Sequence, residues 1–132
     1  MAKQIESLID TNVILRFLVG DNSNQQLKAR EIFRDAESGK LALRIKVLVV
    51  AEACFVLESF YKKSRLEIAD TFQVFLSQKW LHVDDRQSLL SLWDHYKKGL
   101  HFVDSYLLAL AQNNHAAIVT FDKELAKMSR IV

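Results

Sequence analysis

The chain has 132 residues, of which 50% are hydrophobic and 26% are charged. This length and composition are typical of one folded domain and exclude a disordered or fibrous protein. The net charge is +2, from 18 Lys and Arg against 16 Asp and Glu, so charge by itself does not indicate nucleic-acid binding.

The single cysteine, Cys54, excludes an internal disulfide framework, and its apolar neighbours predict a buried, reduced thiol. The N-terminus has no apolar signal core, and no apolar stretch is long enough to cross a membrane. We therefore expect a cytoplasmic protein. There is no proline and there are only three glycines, and no linker, repeat or low-complexity tract interrupts the chain. This predicts a single domain over 1–132.

Short apolar runs alternate with amphipathic segments along the chain. In chain order, the patterns predict a strand over Ile5–Ile9, helices over Asn12–Val19 and Asn24–Ser38, a short strand over Leu41–Leu43, and helices over Val47–Tyr61 and Arg65–Ser77. They then predict a strand over Trp80–Val83, helices over Asp84–Lys98 and Phe102–Asn113, a buried strand over Ala117–Thr120, a short helix over Lys123–Met128 and a last strand over Arg130–Val132.

Two of these segments carry an additional expectation. Val47–Tyr61 is rich in valine, so a strand is possible for its first part, but its length favours a helix. Asp84, with Gln87 three residues later, has the pattern of a helix capping box. The alternation of strands and helices predicts an α/β fold with a mostly parallel sheet, in which ligands bind beyond the carboxyl ends of the strands.

Four acidic residues stand in apolar surroundings, unlike most of the others. They are Asp10, Glu52, Asp104 and Asp122. Asp10 and Asp122 follow predicted strands, whereas Glu52 and Asp104 have apolar residues three and four positions away, so each is expected at or near the buried side of its helix. A buried carboxylate without a partner costs several kcal/mol. Divalent Mg²⁺ or Mn²⁺, which prefer oxygen ligands, would remove this cost.

Each acid also has an ordinary structural interpretation. Asp10, Asp104 and Asp122 lie where helices start and could be caps, and Glu52 could form a buried salt bridge with a distant arginine. The four histidines share no spacing, so neither a zinc site nor a histidine acid or base is expected, and His101 alone lies near Asp104. A shared role for all four acids, as ligands of the same divalent ions, is the simpler interpretation.

These motifs resemble the PIN-domain family. The matching segments are Ile9 to Leu15, Ala51-Glu52-Ala53, Phe102-Val103-Asp104-Ser105 and Val119-Thr120-Phe121-Asp122. Their order and spacing agree with the family across essentially the whole chain, and the compact length and the segment Leu15 to Asp21 resemble VapC-type toxins. The resemblance implies a PIN-like three-layer α/β/α fold. It departs at Ser105 and Tyr106, where smaller residues are frequent.

The resemblance implies a metal-dependent endoribonuclease, the toxin of a bacterial type II toxin–antitoxin pair, acting as a homodimer and inhibited by a cognate antitoxin protein. Asp10, Glu52, Asp104 and Asp122 would be catalytic and would hold one or two Mg²⁺ or Mn²⁺ ions. Asn12 would support Asp10, and Thr120 would orient a carboxylate or a water. The alternative is a catalytically silent PIN fold that binds RNA or a protein partner.

RNA binding requires cations near the acids. Basic residues flank the predicted helices that carry Glu52 and Asp104, and the candidates are Arg44, Lys46, Lys62 and Lys97. Solvated helix ends are the ordinary interpretation of each. A receiver-like domain and an aspartate-nucleophile phosphatase are disfavoured, because Asp10 has no adjacent acid and Asn12 stands where the phosphatase needs a second aspartate.

Overall fold

The computed structural model describes residues 5–129, which form three strands and eight helices. The strands are β1 (Glu6–Leu8), β2 (Ala42–Ile45) and β3 (His82–Val83). The helices are α1 (Thr11–Leu18), α2 (Ser23–Glu37), α3 (Val47–Ser59), α4 (Arg65–Leu76), α5 (Arg86–Ser91), α6 (Trp93–Lys97), α7 (Phe102–Asn114) and α8 (Lys123–Met128). The α/β class predicted from the sequence is confirmed.

The three strands form one parallel sheet with β2 in the centre. Ser7 lies opposite Leu43, and Ile45 lies opposite Val83. Parallel neighbours cannot be joined by a tight turn, so helices connect them: α1 and α2 link β1 to β2, and α3 and α4 link β2 to β3. The predicted strands at these three positions are confirmed, with small differences at their ends.

The core is built from the central strand and the inner faces of the helices. Leu43 and Ile45 of β2 are buried, and large side chains from α4 and α6 pack beside them in the same apolar cluster. Phe72 and Trp93 are fully buried and stack with their ring centroids 5.5 Å apart at an interplanar angle of 8°. Cys54 is also buried as a free thiol, as predicted, and burial raises the pKa of this thiol.

The predicted strand at Ala117–Thr120 is wrong. These residues have no regular secondary structure, and Val119 and Phe121 are fully exposed. The alternation of apolar residues fits a strand, but strand formation also needs a neighbouring backbone to accept and donate hydrogen bonds, and none pairs with this segment among residues 5–129. The predicted strand at Arg130–Val132 lies outside the described residues.

The predicted capping box at Asp84 is also wrong. The Asp84 carboxylate binds Arg44 and Lys46 at 2.6 and 2.7 Å, so it is not available to a helix N-terminus. Asp85 occupies the N-cap position of α5 in the left-handed conformation and makes no capping hydrogen bond. The continuous helix predicted over Asp84–Lys98 is instead two short helices, α5 and α6, that meet at Leu92.

None of the helices that residues 5–129 form combines the length and the apolar character that crossing a membrane requires.

Candidate functional site

Asp10 lies between the first strand and the first helix. The amide of Ile9 donates to the carbonyl of Arg44 at 3.2 Å, which extends the pairing of β1 with β2 by one residue. Asp10 then takes the N-cap position of α1 in extended conformation, but its side chain makes no capping hydrogen bond. Its carboxylate is exposed and has no hydrogen-bond or ion-pair partner among residues 5–129. The side-chain cap considered from the sequence is therefore not formed.

Glu52 lies in the middle of α3 on its exposed side, so the expected burial of this carboxylate is wrong. Its neighbours Leu48 and Phe55 are 82% and 70% exposed, whereas Val50 and Cys54 face the core. The helix carries apolar residues on all sides, and apolar neighbours in the sequence therefore do not show which side is buried. No basic side chain in residues 5–129 pairs with Glu52.

Asp104 is half-buried in the first turn of α7, where a negative charge is favoured by the helix dipole. It has no side-chain partner among the described residues. The two residues after it are oriented elsewhere: the Ser105 hydroxyl donates to the carbonyl of His101 at 2.9 Å, and the Tyr106 hydroxyl donates to Asp85 at 2.6 Å. Burial, together with the bond to Asp85, raises the pKa of Tyr106 to about 12. The departure of Ser105 and Tyr106 from the family pattern thus leaves Asp104 free.

Asp122 differs from the other three acids because its side chain caps a helix. One carboxylate oxygen accepts the backbone N–H of Leu125 at 3.0 Å, in the first turn of α8. The backbone N–H of Asp122 in turn donates to the Thr120 hydroxyl at 3.0 Å. The ordinary interpretation of Asp122 as an N-cap is confirmed, and Thr120 supports the same turn.

The helices that carry the acids pack against one another in sequence. α1 contacts α3, α3 contacts α7, and α7 contacts α8. Three carboxylates without protein partners supply the oxygen donors that Mg²⁺ and Mn²⁺ prefer, so the chemistry of the donor set fits such an ion. However, within residues 5–129 no group of three or more His, Cys, Asp or Glu side chains is placed to hold a metal. The donor types fit a divalent ion, but the acids are not gathered around one point.

Three of the four candidate RNA-binding cations are engaged in ion pairs. Arg44 pairs with Glu6 and Asp84, Lys46 pairs with Asp84, and Lys97 pairs with Asp70 at 3.0 Å. Lys62 follows α3 in the left-handed conformation and has no ion-pair partner in the described part of the chain. Of the four candidates, Lys62 therefore has the most accessible charge.

A second polar cluster, which the sequence did not indicate, joins α1 to the end of α3. The Tyr61 hydroxyl donates to Asp21 at 2.8 Å, and Arg16 donates to Asp21 at 3.1 Å and to Gln25 at 2.7 Å. The bond from Tyr61 lowers the pKa of the Asp21 carboxyl. Tyr61 and Asp21 are 40 residues apart, so no local spacing could have paired them.

The sequence matches the family model described as PIN domain over residues 7–131. The match covers most of the chain. The parallel sheet of this chain, with helices around it, is the α/β/α arrangement expected of that family. This protein belongs to the PIN domain family. PIN domains are generally metal-dependent nucleases, so membership supports a hydrolase that acts on nucleic acid. No curated protein and no solved structure matches the chain.

Proposed function

We propose that the chain, as a single PIN domain over 1–132, is a metal-dependent endoribonuclease and the toxin of a bacterial type II toxin–antitoxin pair. The observation that carries the proposal is the state of Asp10, Glu52 and Asp104. This chain is a member of a nuclease family. Asp10 precedes α1, Glu52 lies on α3 and Asp104 lies on α7, and α3 contacts both α1 and α7. None of the three carboxylates has a protein partner among residues 5–129. Surface acids of no function could be scattered anywhere, whereas these stand in the segments whose sequence resembles the acidic motifs of the family.

In this proposal Asp10, Glu52, Asp104 and Asp122 hold one or two Mg²⁺ or Mn²⁺ ions. When bound, such an ion makes a water more acidic and neutralises charge that develops on the phosphate. Asp10 and Glu52 supply exposed oxygens, and Asp104 adds one from a first helical turn. Asn12 lies two residues after Asp10 and supports it. Thr120 and Asp122 act together, since the Thr120 hydroxyl fixes the turn that presents Asp122.

The RNA backbone would run past the basic residues near these acids. Lys62 offers a charge without an ion-pair partner in the described chain, whereas Arg44, Lys46 and Lys97 would have to exchange a carboxylate for a phosphate. Exposed ion pairs contribute at most about 1 kcal/mol, so this exchange is accessible at Lys46 and Lys97, whereas Arg44 is held by two carboxylates at once. Lys62 is therefore the residue of the four on which we base the RNA contact.

A homodimer is supported by an apolar surface on α3 and α7. Leu48, Phe55, Val103 and Leu107 are large hydrophobic side chains that remain exposed, and Phe55 and Val103 line the same cavity. Contiguous apolar patches on a protein surface mark sites of association. We propose that this α3–α7 face, on which Glu52 also lies, is the contact between two copies of the chain, so that the proposed catalytic acids lie beside the dimer contact.

The cognate antitoxin protein requires a different surface. A groove of about 540 Å³ lies between α1, α2 and α4 and is lined by Phe17, Phe33 and Val74. Arg30 and Arg34 stand at its edge without ion-pair partners in residues 5–129. Apolar walls with a basic edge suit an amphipathic segment that carries acidic residues, and we propose this α1–α2–α4 groove as the antitoxin site.

The alternative function, a catalytically silent PIN fold that binds RNA or a protein partner, is favoured by one observation. The described acids are not gathered into a group that could hold a metal. If that arrangement persists when Mg²⁺ or Mn²⁺ is added, the fold would bind without cutting.

RNA cleavage by the purified protein with Mg²⁺, Mn²⁺ or EDTA separates the two functions. The nuclease predicts metal-dependent cutting that Asp10→Asn and Glu52→Gln each reduce at least about 100-fold, because loss of a ligand removes several kcal/mol of transition-state stabilisation. The matched controls Asp35→Asn and Glu31→Gln, exposed acids of α2, should retain wild-type cleavage. Absence of cutting by the folded wild-type protein, with RNA still bound, would instead establish the binding module.

A further inference from the structure

A cavity of about 270 Å³ lies between α1 and α2. Its polar lining consists of Asn12 and Arg16, one helical turn apart on α1, and Gln25 and Lys28, one turn apart on α2. We call it the α1–α2 pocket. Asn12 lies two residues after Asp10 in the sequence, so the pocket is formed in part by the helix that follows the first of the proposed catalytic carboxylates.

Several hydrogen-bond donors of this pocket have no partner within residues 5–129. Arg16 uses Nε for Gln25 and one terminal nitrogen, Nη1, for Asp21 and Tyr61. Its other terminal nitrogen makes no hydrogen bond among residues 5–129, and the same holds for the side chains of Asn12 and Lys28. The Asp21–Tyr61 cluster therefore holds the Arg16 guanidinium in place while leaving one edge of it available.

The floor of the pocket is apolar. Val13, Ala29 and Ile32 line it below the polar side chains. An apolar floor with amide and cationic groups above it suits a ligand that has a flat face, a hydrogen-bonding edge and a negative charge. A nucleotide has all three: bases pack on apolar or guanidinium surfaces, amides bind base edges, and Arg and Lys bind phosphates.

The size of the pocket favours a nucleotide of a single strand over a duplex. Its volume is slightly below the roughly 300–1,000 Å³ of sites for drug-sized molecules, so it accommodates one nucleotide rather than a duplex. Only single strands present an unstacked base to such a pocket. A protein segment is a poorer match, because the pocket combines amide donors (Asn12 and Gln25) with cationic donors (Arg16 and Lys28). A nucleotide presents a base edge to the first kind and a phosphate to the second.

We propose that the α1–α2 pocket binds one nucleotide of the single-stranded RNA substrate. This inference rests on the proposed function, and it adds a specificity site to it. Lys28 and the free edge of Arg16 contact a phosphate, and Gln25 contacts the edge of the base. Base preference then depends on Gln25, while affinity and its salt dependence depend on Lys28.

The test measures binding without cleavage. A short fluorescein-labelled single-stranded RNA is titrated with protein in EDTA, and fluorescence anisotropy gives Kd at several salt concentrations. Lys28→Ala should raise Kd roughly 5- to 10-fold and lower the slope of log K against log salt by about 0.7, the share of one phosphate contact in a single strand. Gln25→Ala should reduce the difference in Kd among oligomers of A, C, G and U.

Lys40→Ala is the matched control, since Lys40 is also exposed and unpaired in residues 5–129 but lies beyond the C-terminal end of α2. It should keep the wild-type Kd and slope. Equal Kd and slope for wild type and Lys28→Ala, or no RNA binding by wild type, would overturn the inference. The proposed function is judged separately by the loss of cleavage in Asp10→Asn, which should still bind the RNA in EDTA.

Discussion

Arg44 donates to Asp84 at 2.6 Å and so connects the central strand β2 to the end of β3. The same guanidinium donates to Glu6 of β1 at 2.6 Å, and His82 of β3 lies 3.0 Å from the other Glu6 oxygen. One arginine thus links acids from both neighbouring strands across the surface of the sheet. The hydrogen bond from Arg44, followed by that from His82, lowers the pKa of Glu6 to about 2.

This arrangement predicts a specific loss of stability in acid. Because the folded-state pKa of Glu6 lies below its usual value of 4.5, its contribution to stability is present above pH 4.5 and is lost as the pH falls toward 2. Arg44→Met should make thermal unfolding less dependent on pH across that window, since Glu6 loses its main partner and Asp84 keeps only Lys46. Arg30→Met, at an exposed arginine of α2, should unfold with the wild-type pH dependence. Parallel pH profiles for wild type and Arg44→Met would show that the sheet-surface ion pairs do not contribute.

Asp122 allows the structural and catalytic roles of one carboxylate to be separated. Asparagine caps a helix nearly as well as aspartate, whereas alanine loses about 1 kcal/mol at such a position. Asp122→Asn should therefore keep the wild-type free energy of unfolding, and Asp122→Ala should lower it, as measured by urea denaturation. If Asp122 also serves the nuclease, both variants should lose RNA cleavage. Full cleavage by Asp122→Asn would leave this residue with the cap alone.

The α3–α7 face predicts the oligomeric state. Leu48→Glu or Phe55→Ser should convert the proposed homodimer to a monomer in gel filtration with light scattering, because each replaces an apolar contact with a polar side chain. Both residues are exposed in the chain by itself, so the far-UV circular dichroism should be unchanged. Val74→Ser, at an exposed apolar residue of α4 outside this face, should leave the dimer intact. A wild-type protein that is monomeric at micromolar concentration would contradict the proposed contact.

The α1–α2–α4 groove predicts where an antitoxin binds. Val74→Asp places a negative charge on an apolar wall and should weaken binding of the antitoxin by at least about 10-fold, since a buried unpaired charge costs well over 1.4 kcal/mol. Isothermal titration with the proposed cognate antitoxin provides the measurement. Phe55→Ser, on the α3–α7 face, serves as the control and should bind with wild-type affinity. Tight binding by Val74→Asp would show that the antitoxin binds to a surface other than this groove.

The stacked pair Phe72 and Trp93 predicts that removing one aromatic ring from the core lowers the free energy of unfolding strongly. Phe72→Ala should lower the free energy of unfolding by about 3–5 kcal/mol, because it leaves a cavity beside a fully buried indole. Phe60→Ala, at a phenylalanine that is largely exposed after α3, should change it by less than about 0.5 kcal/mol. Urea denaturation of the two variants compares the sites directly, and similar losses would be inconsistent with a core centred on Phe72.

The sequence by itself determined the order of most elements and the α/β class. Apolar periodicity and capping residues are local properties, so helices such as α2, α4 and α8 were predicted close to their observed ends. The same reasoning placed Asp10 at the end of a strand and gave Asp122 its alternative role as a cap, which the bond to Leu125 realises.

Tertiary structure decided what local patterns leave open. The exposed side of α3, and with it Glu52, depends on which helices pack against it, because that helix is apolar on all sides. Ala117–Thr120 has the pattern of a strand, but no backbone within residues 5–129 pairs with it. Asp84 has the pattern of a helix cap, but it forms an ion pair with Arg44, which is 40 residues away in the sequence. Hydrogen bonds and charges are satisfied by whatever partner the fold brings within reach, and that partner is not recorded in the spacing of nearby residues.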